Sequence, residues 1–446
     1  MEPIPLLQGK RILLGVTGGI AAYKVCTLAS RLTQAGAEVD VVMTGAATRF
    51  VTPLTFQSLT GRPVYTTMWG ALEATTGDDA ILPTHVVHVG LAEAADLMVI
   101  APATANTMAK MAQGLADNLL TTLALAARCP VLLAPAMDVG MWAHPATQAN
   151  VETLRERGRT TDAAVSTGGS IYFAGPARGR MASGLEGHGR MVEPDEMLGR
   201  VRLILGRDGP LAGRRVIVTA GPTREPFDPV RFLSNPSSGR QGFTLAQAAL
   251  DRGAAVTLIA GPTSLPTPVG AERVDVSTAQ HMHDAVIAAL DQADVLLMAA
   301  AVADYRPSNV APQKIKKEDG GLVTRLERTP DILSSVAVHW AESGRPRLVL
   351  GFAAESENLV ENARAKLAAK NLDLIVANDV TVPDAGFAAE TNRVVLIDRE
   401  RIERLPLMSK SAVAEVILDR VVGMLRTPTE RLERHLVRHL EDGKRS

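Results

Sequence analysis

Short apolar runs alternate along this chain with longer segments in which apolar residues recur every three or four positions. The first runs predict a strand, a helix and a strand over Arg11–Val16, Ile20–Gln34 and Glu38–Thr44. The same order returns in the second half over Arg215–Thr219, Phe243–Arg252 and Ala255–Ala260. Strands that alternate with helices are typical of parallel sheets covered by helices. The pattern therefore predicts an α/β protein with two Rossmann-like parallel-sheet domains in tandem.

The length of 446 residues also favours more than one domain, since a single domain typically has about 100–200 residues. We place an N-terminal domain at 1–200, a linker at 201–213 and a C-terminal domain at 214–426. Residues 427–446 form a charged tail to which we assign no role. A glycine-rich segment from Gly168 to Gly189 has little periodicity and is too long for an ordinary connection, which predicts a functional flap.

Composition excludes several classes of protein. The formal net charge of −1 gives no support for nucleic-acid or membrane-surface binding through bulk electrostatics. No apolar run approaches the roughly 18 residues that a membrane span needs, and the N-terminus has no signal-peptide pattern. Cys26 and Cys129 both lie in apolar segments, as is usual for free thiols in a reducing compartment. We expect a cytoplasmic protein.

A glycine turn follows the first predicted strand. Gly18 and Gly19 open the next helix, where backbone N–H groups can bind an anion. An NAD-binding unit would carry Asp or Glu at the tip of the second strand. Here that strand ends at Thr44, whose hydroxyl suits a phosphate better than a ribose diol. These residues disfavour NAD and favour a mononucleotide.

Further motifs stand at later strand ends of the N-terminal half. They are Ala101–Asn106, Gly114–Thr121 and Ala134–Trp142. Together they resemble the flavin-containing cysteine decarboxylases, over Arg11 to about Pro194. The resemblance implies FMN as the cofactor, with the following residues around it: Gly18, Gly19, Thr44, Thr104 and Asn106.

The same resemblance assigns roles to several side chains. His88 stands in His-Val-Gly-Leu-Ala, just before an Ala-Asp-Leu strand, where the family has its base. An isolated histidine at a helix start is more often structural, and His85 is a neighbour without a role. Met141 and Arg190 lie in motifs that the resemblance places around the substrate.

Two residues depart from the family pattern. Asp138 replaces an Asn that contacts the substrate carboxylate, and Ser183 replaces a Cys that assists the last, reductive step. A serine hydroxyl is a far weaker acid than a thiol. Two facing carboxylates repel unless one is protonated or a cation lies between them. Arg180 or Arg190 could supply that cation. Asp138 is therefore assigned to substrate binding and Ser183 to catalysis.

In the C-terminal half, small residues again stand where a loop opens a helix. Ser237, Ser238 and Gly239 leave backbone N–H groups free to face an anion. The segment lacks the Gly-Lys-Ser/Thr motif of a P-loop and also the G-x-G-x-x-G motif of a dinucleotide site. Lys366 and Lys370 are four residues apart, so a helix presents them on one face. We expect a triphosphate site, although most surface lysine pairs are simply solvated.

Four more motifs complete this picture, at Ala299–Pro307, Lys314–Lys317, Gly351–Glu355 and Lys366–Asp373. With 219–242 they resemble the phosphopantothenate–cysteine ligases of coenzyme A synthesis, over about Arg214 to Met424. The order of the two halves is similar to that of the bifunctional bacterial decarboxylase/ligase family. The resemblance implies substrates 4′-phosphopantothenate, cysteine and CTP, an acyl-cytidylate intermediate and decarboxylation to 4′-phosphopantetheine.

The ligase resemblance also implies residue roles. Lys314 serves acyl-cytidylate formation, while Lys366 and Lys370 bind the phosphates. Phe352 and Asp304 lie where the nucleotide or its Mg²⁺ would sit, and Asp304 is the expected metal ligand. Asn235 serves the attack of cysteine, with Arg231 nearby to hold the intermediate. The family further implies a homo-oligomer with trimeric flavin domains and paired ligase domains, which a dodecamer would satisfy.

Three other readings stay open. A two-domain NAD(P) oxidoreductase is disfavoured by Thr44 and by the absence of G-x-G-x-x-G. A ligase with a catalytically impaired flavin domain is kept open by Asp138 and Ser183. A binding or scaffold protein would leave several chemically distinct motifs without a use.

Overall fold

The computed structural model describes residues 2–68, 87–159, 169–316, 322–355, 357–379 and 389–426. Contacts divide the chain into two compact units, Met1–Leu205 and Gly206–Ser446. His85, Gly168 and the tail at 427–446 lie outside the described residues. Each unit is an α/β domain built on its own sheet, which confirms the predicted fold class.

The elements of the first unit are, in chain order, β1 (Arg11–Val16), α1 (Ala22–Gln34), β2 (Glu38–Met43), α2 (Pro53–Thr60), β3 (Val64–Tyr65), α3 (Val87–Ala94), β4 (Leu97–Ala103), α4 (Ala105–Gln113), α5 (Leu119–Ala126), β5 (Val131–Pro135), α6 (Val139–Ala143), α7 (Pro145–Arg159), β6 (Ile171–Phe173), β7 (Ala177–Arg180), β8 (Glu186–Arg190) and α8 (Pro194–Gly206). The sheet order is β3-β2-β1-β4-β5-β6, and every neighbouring pair is parallel. All residues of β4 and β5 are buried, as expected for strands covered by helices on both faces.

The glycine-rich segment predicted as a functional flap contains regular structure over its described residues. Ile171–Phe173 forms the edge strand β6 of the sheet, paired with β5. Beyond it, β7 and β8 form an antiparallel hairpin. The sequence did not indicate β6, because a three-residue strand is too short to show a period.

The elements of the second unit are β9 (Arg215–Ala220), β10 (Arg224–Pro226), β11 (Phe232–Ser234), α9 (Arg240–Leu250), β12 (Ala255–Ala260), β13 (Glu272–Asp275), α10 (Ala279–Ala289), β14 (Val295–Met298), β15 (Tyr305–Pro307), β16 (Leu326–Arg328), α11 (Ile332–Ser343), β17 (Leu348–Glu355), α12 (Leu359–Ala369), β18 (Leu374–Asp379), β19 (Thr391–Asn392), β20 (Val394–Ile397), β21 (Ile402–Arg404), β22 (Met408–Ser409) and α13 (Lys410–Arg426). Its eight-stranded sheet has the order β13-β12-β9-β14-β17-β18-β20-β21. The strands from β13 to β18 are parallel, and β20 and β21 are antiparallel.

Helix α9 packs on β9 at unusually close range because the contact residues are small. A Cβ added to Gly242 would lie 2.4 Å from the Cβ of Ala220. The helix begins at Arg240, three residues before the predicted start, because Gly239 adopts a φ of +81° and forms its N-cap. That left-handed backbone conformation favours glycine. The glycines thus set where the helix starts and how near it lies to the sheet.

Candidate functional site

In the first unit, the ends of three neighbouring strands are joined by hydrogen bonds. The Thr17 hydroxyl after β1 donates to the carbonyl of Pro102 on β4 and accepts from the Thr104 N–H at 3.3 Å. The Thr44 N–H after β2 donates to the Val16 carbonyl at 3.0 Å. The predicted cofactor residues Thr44 and Thr104 therefore stand at the carboxyl edge of the sheet, where open α/β folds bind ligands.

This edge offers the donors that a phosphate needs. Among the described residues, the N–H groups of Gly18 and Ile20 have no acceptor. The Thr44 and Thr104 hydroxyls, at the ends of β2 and β4, accept at 3.3 Å from the N–H groups of Ala47 and Thr107. A Cβ on Gly18 would lie 2.4 Å from the Cβ of Ala46, so this turn tolerates no side chain there. Gly19 is half-buried, and Asn106 is exposed in the first turn of α4.

The two residues that depart from the family pattern contact each other. The Ser183 hydroxyl donates to Oδ2 of Asp138 at 2.5 Å, and the Gly140 N–H donates to Oδ1 at 3.1 Å. These two hydrogen bonds, the one from Ser183 above all, lower the pKa of the Asp138 carboxyl below its usual value. Asp138 is therefore an ionised carboxylate at neutral pH. Within the described residues its side-chain partner is the Ser183 hydroxyl, and no arginine pairs with it.

Backbone contacts hold the β7–β8 hairpin against the start of α6. The Met137 N–H donates to the Gly189 carbonyl at 2.9 Å. A Cβ on Gly189 would lie 2.3 Å from the Met137 carbonyl oxygen, and one on Gly187 would lie 2.9 Å from the Val139 side chain. The glycines of the predicted flap therefore permit a close approach, which places Ser183 beside Asp138.

Arg190 pairs with a carboxylate three residues further along the chain. Its guanidinium binds Glu193 at 2.7 Å, and the nearly buried Lys24 ammonium binds the same carboxylate at 2.8 Å. His88 is half-buried in the first turn of α3, and its imidazole forms no hydrogen bond with the other described residues. Met141 is exposed on α6. A substrate carboxylate would have to compete with Glu193 for Arg190.

In the second unit, Asn235 ties the loop after β11 to the loop after β14. Its side-chain amide donates to the carbonyls of Ala301 and Val302 at 3.3 and 3.2 Å. The Thr223 hydroxyl accepts from the Ala303 N–H at 3.0 Å in the same loop. Asn235 therefore lies near the segment that carries Asp304.

The predicted anion cradle lies at the N-terminus of α9. The Ser237 and Ser238 hydroxyls accept from the N–H groups of Gly239 and Arg240 at 3.3 and 3.4 Å. Both hydrogen bonds are long. A phosphate oxygen would make shorter, charge-assisted hydrogen bonds to the same N–H groups.

Lys366 and Lys370, the two lysines of the expected triphosphate site, contact different elements of the second unit. The Lys366 ammonium donates to the Phe352 carbonyl at 3.1 Å, which joins two predicted site residues. The Lys370 ammonium instead binds the Asp331 carboxylate and donates to the Ser334 hydroxyl at 2.9 Å. Lys366 thus reaches a carbonyl within β17, whereas Lys370 is directed toward the start of α11.

Asp304 and Lys314 are exposed, so neither is held in a closed site. The described residues contain no cluster of three His, Cys, Asp or Glu side chains able to hold a metal ion. A single carboxylate suits Mg²⁺ that arrives with a triphosphate, because Mg²⁺ at such sites usually binds one or two carboxylates together with phosphates and water.

Comparison with known proteins covers both units. A family model described as Flavoprotein matches residues 5–203, and one described as DNA/pantothenate metabolism flavoprotein C-terminal domain matches 211–425. The coenzyme A biosynthesis bifunctional protein CoaBC of Bacillus subtilis is 44% identical over 430 residues, or 96% of this chain and 100% of that protein. The CoaBC of Vibrio cholerae is 46% identical over 415 residues, or 92% and 98%. The chain belongs to the CoaBC family.

One solved structure with this name is the C-terminal domain of a CoaBC protein. It is 41% identical, covers 48% of this chain and 96% of its own, and has a TM-score of 0.41. The Flavoprotein match confirms the expected flavoprotein domain in the N-terminal half of this CoaBC family member. Within the described residues, no helix has the length and apolarity that crossing a membrane requires.

Two functional candidates of this CoaBC family member escaped the sequence reasoning. Lys24 follows the glycine turn by five residues, yet only the fold shows that it shares Glu193 with Arg190. Asp228 lies inside the prominent 219–242 motif, where the glycines and serines drew attention first. Its signal was an acidic residue in a turn between two short strands, which alone indicates only a tight loop.

Proposed function

We propose that the chain catalyses two consecutive steps of coenzyme A biosynthesis. The first is CTP-dependent ligation of cysteine to 4′-phosphopantothenate through an acyl-cytidylate. The second is FMN-dependent decarboxylation of 4′-phosphopantothenoylcysteine to 4′-phosphopantetheine. The observation that carries the proposal is the match to bifunctional relatives over nearly the whole chain, through both units. The strand-end positions of Thr44 and Thr104 support the assignment of the first unit.

The first half-reaction activates the carboxylate of 4′-phosphopantothenate. That carboxylate attacks the α-phosphate of CTP, and pyrophosphate leaves. Lys314 stabilises the charge that develops during the attack. The Gly239 and Arg240 N–H groups, with Ser237 and Ser238, hold phosphate oxygens, while Lys366 and Lys370 bind the chain of phosphates. Exposed Asp304 takes one position on the Mg²⁺ that accompanies CTP.

The second half-reaction transfers the acyl group to cysteine. The amino group of cysteine attacks the acyl carbon, and CMP leaves. Asn235 and Arg231 hold the intermediate for this attack. The Asn235 amide already bridges to the Ala301 and Val302 carbonyls, so its position is fixed by the loop that also carries Asp304. A pre-positioned group lowers the barrier without reorganisation.

In the flavoprotein unit, Gly18, Gly19, Thr44, Thr104 and Asn106 hold the FMN. Bound FMN supplies reversible oxidation of the cysteinyl group, so that loss of CO₂ becomes possible without net redox change. His88 acts as the base that takes a proton from the cysteinyl group. Ser183 assists the last, reductive step, and Asp138, Met141 and Arg190 line the substrate-binding site.

A second candidate function is a ligase whose flavin unit is catalytically impaired. The observation that favours it is the Ser183–Asp138 hydrogen bond, which occupies both departing side chains with each other. An ionised Asp138 also repels a substrate carboxylate. The two candidates differ in one product, because only the bifunctional enzyme releases CO₂.

We also propose a cytoplasmic homo-oligomer with trimeric flavin domains and paired ligase domains. Support comes from Ile20 and Tyr23, which are 62% and 61% exposed beside the glycine turn. Large exposed apolar side chains in a cluster commonly mark an interface. Light scattering of the purified protein gives the number of subunits, and a monomer contradicts this part of the proposal.

Half-reaction assays test the proposed function. Pyrophosphate release from 4′-phosphopantothenate is measured with CTP and with ATP, each with Mg²⁺ or with chelator and no cysteine. The proposal predicts release with CTP and Mg²⁺ and much less in the other mixtures. Flavin absorbance of the protein as purified then tests the first unit. Pyrophosphate release with ATP but not with CTP would contradict the CTP-dependent ligation. Protein that cannot bind FMN would contradict the FMN-dependent decarboxylation.

A further inference from the structure

Asp228 is a buried carboxylate in the turn between β10 and β11. It is 2% exposed, and its side chain has no exposed surface. A carboxylate away from water is costly unless hydrogen bonds replace its hydration. The hydrogen-bond donors around Asp228 therefore indicate the role of this buried carboxylate.

Four donors from two segments of the chain reach this carboxylate. Oδ1 accepts from the N–H groups of Val230 and Arg231 at 2.7 and 2.8 Å, within its own turn. Oδ2 accepts from the Arg231 guanidinium at 3.2 Å and from the Ile315 N–H at 3.1 Å. Burial would raise the pKa of Asp228, but these hydrogen bonds outweigh it and hold the pKa below its usual value. Asp228 is an ionised crosslink between two loops.

The two loops carry residues that we assign to different half-reactions of the ligase. Arg231 belongs to the attack of cysteine, and Lys314, the residue before Ile315, belongs to acyl-cytidylate formation. A second link runs beside the first, because the Ala311 N–H donates to the Phe227 carbonyl at 2.9 Å. One carboxylate oxygen of Asp228 thus contacts both the Arg231 side chain and the backbone that presents Lys314.

We propose that Asp228 is a positioning residue shared by the two half-reactions of the ligase, fixing Arg231 and the Lys314 loop relative to one another. The proposal rests on the proposed function. The acyl-cytidylate made with the help of Lys314 then already lies where Arg231 holds it for cysteine. An asparagine is a poor replacement, because its NH₂ group would face N–H donors on one side.

The test uses the full-length enzyme in single-turnover experiments. Pyrophosphate release is measured from CTP and 4′-phosphopantothenate, and CMP release is measured after cysteine is added. Asp228→Asn is expected to slow each step by about 100-fold, the usual effect of an ångström-scale displacement of a catalytic group. The KM for CTP is expected to stay near the wild-type value, because the phosphate cradle does not contact Asp228.

Glu225→Gln is the matched control. Glu225 lies on the same hairpin, is also 2% exposed, and accepts from the Ala279 N–H at 2.8 Å, away from the Lys314 loop. It should leave both steps near the wild-type rate. If Asp228→Asn does not fold, as judged by thermal unfolding of the second unit, Asp228→Ser carries the same expectation, because it also removes the charge.

Double-mutant cycles separate positioning from general stability. In a Lys314→Gln background, Asp228→Asn should cost pyrophosphate release little more, since Asp228 acts through Lys314. In an Arg231→Gln background the same should hold for CMP release. Additive effects, slowing of one step only, or equal losses in Glu225→Gln would overturn the proposal. Wild-type enzyme that releases no pyrophosphate would instead refute the proposed function.

Discussion

Ser183 donates its hydroxyl proton to the Asp138 carboxylate at 2.5 Å. Each of these residues replaces another residue type in the family pattern, so the two departures form one hydrogen-bonded pair. The pair also joins the β7–β8 hairpin to α6. The hydrogen bond therefore fixes both side chains and holds the hairpin against the start of α6.

The pair makes a prediction about pH. The lowered pKa of Asp138 means that the carboxylate form is favoured by folding. Its stabilising effect is present above the unfolded-state pKa of about 3.9 and is lost as the pH falls through the folded pKa. Ser183→Ala should raise the pKa of Asp138, so it should reduce the unfolding free energy above about pH 4 and change it little in stronger acid. Chemical denaturation from pH 2 to 7 measures this, and an equal loss at every pH would refute the pairing.

Asp138→Asn should strengthen substrate binding in the first unit. The change removes a negative charge that faces the substrate carboxylate, so the KM for 4′-phosphopantothenoylcysteine should fall several-fold. Steady-state CO₂ release measures this. Asp195→Asn, which neutralises another exposed carboxylate of the same unit paired with Arg31, is the control and should leave the KM unchanged. A higher KM in Asp138→Asn would show that Asp138 binds the substrate through its charge.

His88→Asn should abolish decarboxylation without affecting ligation. Loss of a general base typically costs about 10²- to 10⁴-fold in rate. CO₂ release from 4′-phosphopantothenoylcysteine is compared with CMP release in the same preparation, so that the ligase serves as the internal control. Near-normal CO₂ release would leave His88 as a structural residue of α3.

Lys366→Met should raise the KM for CTP by about 10- to 100-fold, the range for loss of a charged hydrogen-bond donor. The reason is that the Lys366 ammonium stands at the Phe352 carbonyl, at the proposed nucleotide site. Arg364→Met, an exposed change on the same helix, is the control. If both variants have equal KM values, Lys366 does not contact the triphosphate.

Gly242→Ala should destabilise the second unit by about 1–3 kcal/mol, because its Cβ would force α9 away from β9. The phosphate cradle at the start of α9 should move with the helix, so the KM for CTP should rise as well. Gly423→Ala on α13 adds a Cβ into open space. It should stabilise by about 0.5–1 kcal/mol. Differential scanning calorimetry and CTP kinetics measure both variants.

The long elements of the fold could be predicted from the sequence. Strands β1 and β12 have the predicted bounds, because buried parallel strands appear as continuous apolar runs. Helices α1 and α9 were placed correctly to within three residues, and their starts depended on turn geometry at Gly19 and Gly239. Strand β6 could not be predicted, since its pairing with β5 is a tertiary contact between residues far apart in sequence.

Some features of the candidate site could likewise be predicted from the sequence, and others could not. Glycine turns and strand-end motifs are local, so Thr44, Thr104 and Ser237 could be located from the sequence. Partners of side chains are not local. No pattern showed that Ser183 contacts Asp138, that Lys370 binds Asp331 or that Arg190 shares Glu193 with Lys24. These pairs follow from packing between distant segments.

The most direct test of the account is mass spectrometry of the product that the purified protein forms from 4′-phosphopantothenate, cysteine, CTP and Mg²⁺. The account predicts 4′-phosphopantetheine, with CO₂, CMP and pyrophosphate released in equal amounts. Accumulation of 4′-phosphopantothenoylcysteine without CO₂ would contradict the decarboxylase half and leave a ligase. The absence of any cysteine adduct would contradict the account as a whole.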